Sequence, residues 1–314
     1  MGLLNPLNFA CYVWAAVIAI GATAAPALGV TNRAELPHSS ESEPSHRLTA
    51  DLGQSFRELG VEGSIIIYDA QQERTITYQN SPRYPDRNFQ EFPVASTFKI
   101  LNSLIALEAG MVPSDLAILT WDGIEREIPT WNRDLNLREA FKISAVWFYQ
   151  VLARRLGHGA MKQWIERVGY GNQDIGTPAD IGTPADIDRF WLNGQLKITP
   201  EAQIQFLRRL HGNDLPFSER TLAIVKDMMI SEQTPDYTIR AKTGWYGFGR
   251  PEVQQIGWYV GYVETRDKVY FFATNLDIRS DRASQDGAAR LEVTRRSLQA
   301  LGAFPAIAPP SQTR

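Results

Sequence analysis

The stretch "FPVASTFKILNSLIALEAG" (residues 92–110) runs from a proline-broken approach into a helix without a polar face. Pro93 stops any earlier helix, and Ser96 stands where a new one starts. Phe98, Ile100, Leu101, Leu104, Ile105 and Leu107 surround this helix with apolar side chains, so it belongs inside a core. Lys99 follows Ser96 by three residues, which puts both on one face of the first turn. Burial penalises a charged ammonium, and the positive end of the helix dipole penalises it further. Both effects favour a neutral amine beside a serine hydroxyl, which is how a serine is activated without histidine. A plainer reading competes: S-x-x-K arises readily by chance, and a capping serine with a snorkelling lysine explains it.

Outward from this helix, strand patterns occupy both ends of the chain. Residues 61–69 ("VEGSIIIYD") and 74–79 ("RTITYQ") are rich in β-branched and aromatic residues, and the polar AQQE between them predicts a hairpin. Residues 237–242, 256–264 and 268–277 are three more strand candidates, the last two joined by Thr265-Arg266-Asp267. Period-3.6 clustering predicts helices at 98–109, 137–156, 160–168, 200–211 and 218–230, and a last one at 287–301. The pattern implies an α+β, sandwich-like fold. Its single antiparallel sheet is built from N- and C-terminal strands with flanking helices, and the helical middle forms a second lobe. The cleft between lobes is the expected site.

The chain of 314 residues, 44% hydrophobic and with net charge −3, is long enough for a well-buried core. No basic block alternates with aromatics, so nucleic acid is not an expected partner. Residues 7–30 are apolar and end in small-residue sites such as Ala22-Thr23-Ala24, which resembles a secretory signal (1–29) and implies a periplasmic protein. The absence of Lys and Arg before this segment leaves an uncleaved membrane anchor as the rival; a cleaved signal would leave no stable membrane association. Residues 30–47 read as a polar leader, 48–304 as one catalytic domain, and 305–314 as a proline-containing tail. The only cysteine, Cys11, lies in the apolar segment, which excludes disulfides, a thiolate nucleophile and cysteine-ligated zinc from the mature chain. Monomer and homodimer both remain open.

"RAKTGW" (residues 240–245) closes a predicted strand. Lys242 and Thr243 put a cation and a hydroxyl near a strand end, and Gly244 lets a ligand approach the backbone. An edge strand with a protective lysine and a turn glycine is the plainer alternative. Of the four histidines, His38 and His46 lie in the leader, and His158 and His211 read as polar residues at helix ends. Neither G-x-S-x-G nor H-E-x-x-H occurs, so a Ser-His-Asp hydrolase and a zinc hydrolase are both poorly supported, and no metal is expected.

Two further words complete a set: Ser144-Ala145-Val146, read as lying on a helix, and Tyr170-Gly171-Asn172. With STFK, SAV, YGN, FW and KTG in this order, the sequence resembles the class D β-lactamases, the oxacillinases, over residues 48–304. Each tripeptide is weak alone, but the ordered set is specific. The resemblance implies an enzyme that hydrolyses β-lactams through an acylated Ser96. It implies that Lys99, as a free amine, takes up CO2 to become N6-carboxylysine, the general base, with no cofactor beyond CO2 or bicarbonate. Val146 would keep that group dry, and Trp191 in "RFWLNG" would donate its indole N–H to it. Ser144 would relay protons to the lactam nitrogen, and Lys242 would sustain the positive field. Arg290 and Thr243 would bind the substrate carboxylate, and the N–H groups of Ser96 and Trp245 would form the oxyanion hole. Gly244 and Trp131, in "WDGIEREIPTWNRD" (residues 121–134), would border the pocket, as would the loop drawn at 244–258. Trp191 as ordinary core and Arg290 as a surface helix residue remain the plainer alternatives. A penicillin-binding transpeptidase or a β-lactam sensor domain, which acylates without fast turnover, is the competing function. The first normally carries S-x-N where this chain has Ser144-Ala145-Val146, and the second follows several membrane helices.

The word IGTPAD occurs twice in succession, at residues 175–180 and 181–186. Removing one copy restores the family's usual spacing, so tandem duplication is its simplest origin. Inert loop filler is one expectation, since lengthening a surface loop costs little entropy. A loosened cleft wall that admits bulkier cephalosporins and weakens the grip of Trp191 is the other.

Overall fold

A computed structural model of the chain describes residues 51–177 and 186–304. The expected signal segment and leader, the tail and most of the IGTPAD repeat lie outside the described residues. The chain enters with α1 (Gly53–Leu59), then the hairpin of β1 (Gly63–Asp69) and β2 (Arg74–Gln79), turning over Ala70 to Glu73 as the polar AQQE predicts. The short β3 (Phe92–Pro93) leads through a 3-10 turn at Ala95–Phe98 into α2 (Lys99–Glu108). The middle of the chain holds the ribbon of β4 (Ile118–Leu119) and β5 (Leu135–Asn136), then α3 (Leu137–Lys142), α4 (Val146–Leu156) and α5 (His158–Val168). After β6 (Lys197–Ile198), which pairs with β3, come α6 (Pro200–His211) and α7 (Glu219–Met228). Strands β7 (Ile230–Gln233), β8 (Tyr237–Tyr246), β9 (Gln255–Thr265) and β10 (Val269–Ile278) follow, and α8 (Ala283–Ala300) closes the fold.

The six-stranded antiparallel sheet has the order β2-β1-β10-β9-β8-β7, so the two ends of the chain meet where β1 pairs with β10, from Gly63 opposite Leu276 to Asp69 opposite Tyr270. β1 and β10 are buried nearly throughout rather than alternately, as strands covered on both faces must be. On one face Ile65, Ile67, Phe272 and Leu276 pack against Val293 and Leu298 of α8. On the other, Ile66, Phe271 and Ala273 join the larger core of the helical lobe, which includes α2, α4 and α6. The sequence-derived α+β architecture stands in this form.

Four local expectations are corrected. β7 begins at Ile230, where the helix expected over 218–230 was to end. The helix expected over 137–156 is two helices, with Ser144 at φ +59° between them. A capping box between Asn136 and Glu139 starts α3 (2.8 and 3.2 Å), and Ala145 N–H donating to Ala140 O at 2.9 Å ends it, so Ser144-Ala145-Val146 forms a corner rather than part of one helix. β8 runs on to Tyr246, because Thr243, Gly244 and Trp245 pair with Tyr259, Trp258 and Gly257. Lys242-Thr243-Gly244 is therefore interior to a strand, and the loop between β8 and β9 shrinks to residues 247–254. Finally, β8 lies between β7 and β9, which removes the protective-edge reading of Lys242.

Candidate active site

The turn that carries Ser96 is held under strain and from several sides. Ala95 adopts φ +47°, a left-handed conformation that costs a non-glycine residue about 1–2 kcal/mol. Thr97 Oγ1 donates to Val94 O at 2.6 Å and accepts from Gln203 Nε2 at 3.0 Å, while Trp258 Nε1 donates to Pro93 O at 2.8 Å. Ser96 does not cap α2. Its Oγ instead accepts from Lys99 Nζ at 2.7 Å, with Lys99 fully buried as the first residue of α2. That removes the capping-and-snorkelling explanation of the tetrad.

Strand β8 lies against this turn. A Cβ at Gly244 would meet Thr97 Cγ2 at 3.0 Å, Trp258 Cβ at 3.2 Å and Val94 O at 3.3 Å. Glycine at this position lets strand and turn approach each other closely. Arg290 reaches from α8 to β8, donating from Nη1 to Gly244 O at 2.6 Å with its guanidinium 5.3 Å from the Trp245 ring. It is therefore no free surface residue. A cleft of about 700 Å³ opens over the turn; its walls include Ser96, Trp131, Ser144, Val146, Thr243, Gly244, Trp245 and Arg290 among the expected residues. Lys99, Lys242 and Trp191 are buried behind that wall.

The electrostatics are those of cations without acids. Burial, and then the charge of Lys242, hold the Lys99 amine well below the ordinary lysine range. Burial, and then Arg290, lower Lys242 to about 7, and burial lowers Arg290 to about 10. Among the described residues no carboxylate pairs with any of the three. Lys242 Nζ finds only Thr243 O at 3.1 Å and Thr243 Oγ1 at 3.5 Å. Trp191 stacks on Phe98 (5.6 Å) and meets Phe190 edge-on (4.9 Å), but its buried Nε1 has no acceptor. A buried N–H without an acceptor, on a ring stacked against the residue before Lys99, suits a small anionic group attached to a buried amine held below the ordinary lysine range. So the residues present fit a carboxylated Lys99.

Sequence reading missed Tyr149, whose ring centroid lies 5.3 Å from Lys99 Nζ and whose hydroxyl shares a 2.9 Å hydrogen bond with Ser103. Its i,i+3 spacing from Val146 was the available signal. It also missed Arg87, fully buried between Tyr84 and Phe92, which donates to Asn275 Oδ1 (2.7 Å), Ser81 Oγ (2.9 Å) and Asp277 Oδ1 (2.8 Å). No local pattern announces a partner nearly two hundred residues away.

Residues 63–299 match the family described as penicillin binding protein transpeptidase domain, the class of protein that this sheet, helical lobe and serine–lysine turn define. Beta-lactamase OXA-48 of Klebsiella pneumoniae is 42% identical over 223 residues, covering 71% of this chain and 78% of that protein. Beta-lactamase OXA-20 of Pseudomonas aeruginosa is 35% identical over 263 residues, with coverages of 84% and 91%. The crystal structure of the class D β-lactamase YbXI from Nostoc aligns with a TM-score of 0.73 at 55% identity, covering 81% of this chain and 99% of that one. The chain belongs to the class D serine β-lactamases.

Proposed function

We propose that the enzyme hydrolyses the β-lactam ring of penicillin-type antibiotics through an acyl-enzyme on Ser96, with Lys99 carboxylated on Nζ as general base. The observation that carries this is Lys99 Nζ, fully buried, unpaired with any acid and 2.7 Å from Ser96 Oγ. An amine held neutral attacks CO2, forming an N–C bond and losing a proton, which a protonated lysine does not do. When present, the carboxyl group supplies a base beside the hydroxyl, and Trp191 Nε1–H and Lys242 are the groups that would hold it.

Arg290 and Thr243 hold the substrate carboxylate, and the Ser96 and Trp245 N–H groups receive the lactam oxygen. Ser96 Oγ forms the ester bond as the lactam C–N bond breaks, and the proton lost from Oγ reaches the nitrogen by way of Ser144. Water then attacks the ester carbonyl, the C–Oγ bond breaks and Ser96 regains its proton. Val146, Trp131 and the ring of Tyr149 keep bulk water from the buried amine. The apolar N-terminal segment ending near Ala22-Thr23-Ala24 supports a periplasmic site of action. Steady-state hydrolysis of a chromogenic cephalosporin tests the function: sustained turnover, lost in Ser96→Ala, is expected. A single burst of acylation without release would instead mark a transpeptidase or sensor.

A further inference from the structure

The cleft holds more positive charge than a β-lactam with a single carboxylate uses. Besides Arg290, its wall includes Arg189, from the segment before Trp191, and Arg250, from the loop between β8 and β9. Asp188 is the one acid on that wall among the described residues, and it is ion-paired with Arg154. Neither Arg189 nor Arg250 has an acidic partner among the described residues. The Arg250 guanidinium lies 5.4 Å from the Tyr246 ring, and its backbone N–H donates to Gly247 O at 2.9 Å, so the side chain starts from a defined turn.

Other residues of the wall are apolar. Trp245 carries Arg290 on its ring and meets Phe248 edge-on at 5.1 Å; Phe248, 45% exposed, presents its ring to the opening. Trp131, Ile128 and Leu192 add further apolar lining. Cations and aromatic rings on one cleft wall match a ligand with two anionic groups and an aryl body.

Resting on the β-lactam hydrolysis proposed above, we propose that this cleft selects dianionic β-lactams: Arg290 takes the ring carboxylate, and Arg250, assisted by Arg189, takes a second carboxylate on the acyl side chain. Both outer arginines are exposed to solvent, so the gain is that of a screened pair, a factor of about two to five in kcat/KM.

The test compares benzylpenicillin with carbenicillin, which differs from it by one carboxylate on the side chain, using the purified enzyme in bicarbonate buffer. Arg250→Gln is expected to lower the carbenicillin-to-benzylpenicillin ratio of kcat/KM about two- to fivefold, mostly through KM. Arg250→Glu should lower it further, and Arg250→Lys should retain most of it. Arg189→Gln should give a smaller fall in the same direction. Arg266→Gln, an exposed change at the turn at the other end of β9, reports the effect of net charge alone and should leave the ratio in place. An unchanged ratio in both Arg250→Gln and Arg250→Glu would overturn the proposal, as would an equal fall in Arg266→Gln. A wild-type enzyme that turns over neither penicillin would instead overturn the β-lactamase function beneath it.

Discussion

Replacing Trp191 by phenylalanine separates what its ring does from what its N–H does. Phenylalanine keeps the aromatic contact with Phe98 and Phe190 but removes the buried Nε1, which has no protein acceptor. An unsatisfied buried donor costs about 1–3 kcal/mol, so its removal stabilises the bicarbonate-free protein by that order. The missing ring leaves a cavity that costs on the order of 1–2 kcal/mol. The two terms offset, and Trp191→Phe should unfold within about 2 kcal/mol of wild type in bicarbonate-free denaturant titrations. With bicarbonate present the comparison changes. A hydrogen bond to a charged acceptor contributes about 1.5–3 kcal/mol, which corresponds to a roughly 10- to 150-fold rise in the bicarbonate needed for half-maximal activity. The assay follows initial rates of β-lactam hydrolysis against bicarbonate after acidification and degassing. Equal half-saturating bicarbonate in the two proteins would refute the role given to Nε1 and leave Trp191 as core packing.

Three other perturbations probe the frame around the site. Gly244→Ala inserts a methyl 3.0 Å from Thr97 and 3.3 Å from Val94 O, so acylation should fall sharply while stability drops by about 1–3 kcal/mol; stopped-flow acylation and thermal melts check both. Arg87→Met strips Asp277, Asn275 and Ser81 of a fully buried partner and should cost about 3–5 kcal/mol in urea unfolding. For Lys242 the folded pKa of about 7 lies below the unfolded value of 10.5, so between these limits the unfolded chain binds more protons. Stability in bicarbonate-free buffer should therefore rise with pH across that window and fall as pH drops through it. Lys242→Met should remove up to about 1.4 kcal/mol of that rise per pH unit, as read by denaturation at a series of pH values.

What the sequence shows and hides follows from the range of the forces involved. The β1–β2 hairpin and α6 are legible because their signals are local: alternation around a polar AQQE in one, and Thr199 accepting from Ala202 N–H at 2.9 Å with Pro200 beside it in the other. Ser96 and Lys99 are legible because three-residue spacing on an apolar helix has one geometric meaning. The bends at Ala95 and Ser144 are hidden, since neither residue is the glycine that a left-handed position usually takes. The close approach of Gly244 to Thr97 and Val94 is hidden too, since nothing in K-T-G announces neighbours across the fold. Arg87 escaped because topology brings Asn275 and Asp277 to it, and Tyr149 because its spacing from Val146 was the one local signal.

The central claim is that buried Lys99 is neutral and takes up CO2 beside Ser96. Nuclear magnetic resonance of the enzyme with isotopically labelled bicarbonate tests it most directly. One protein-bound carbamate resonance should appear as activity is restored and be absent from Lys99→Ala. Full activity with no such resonance would contradict the account.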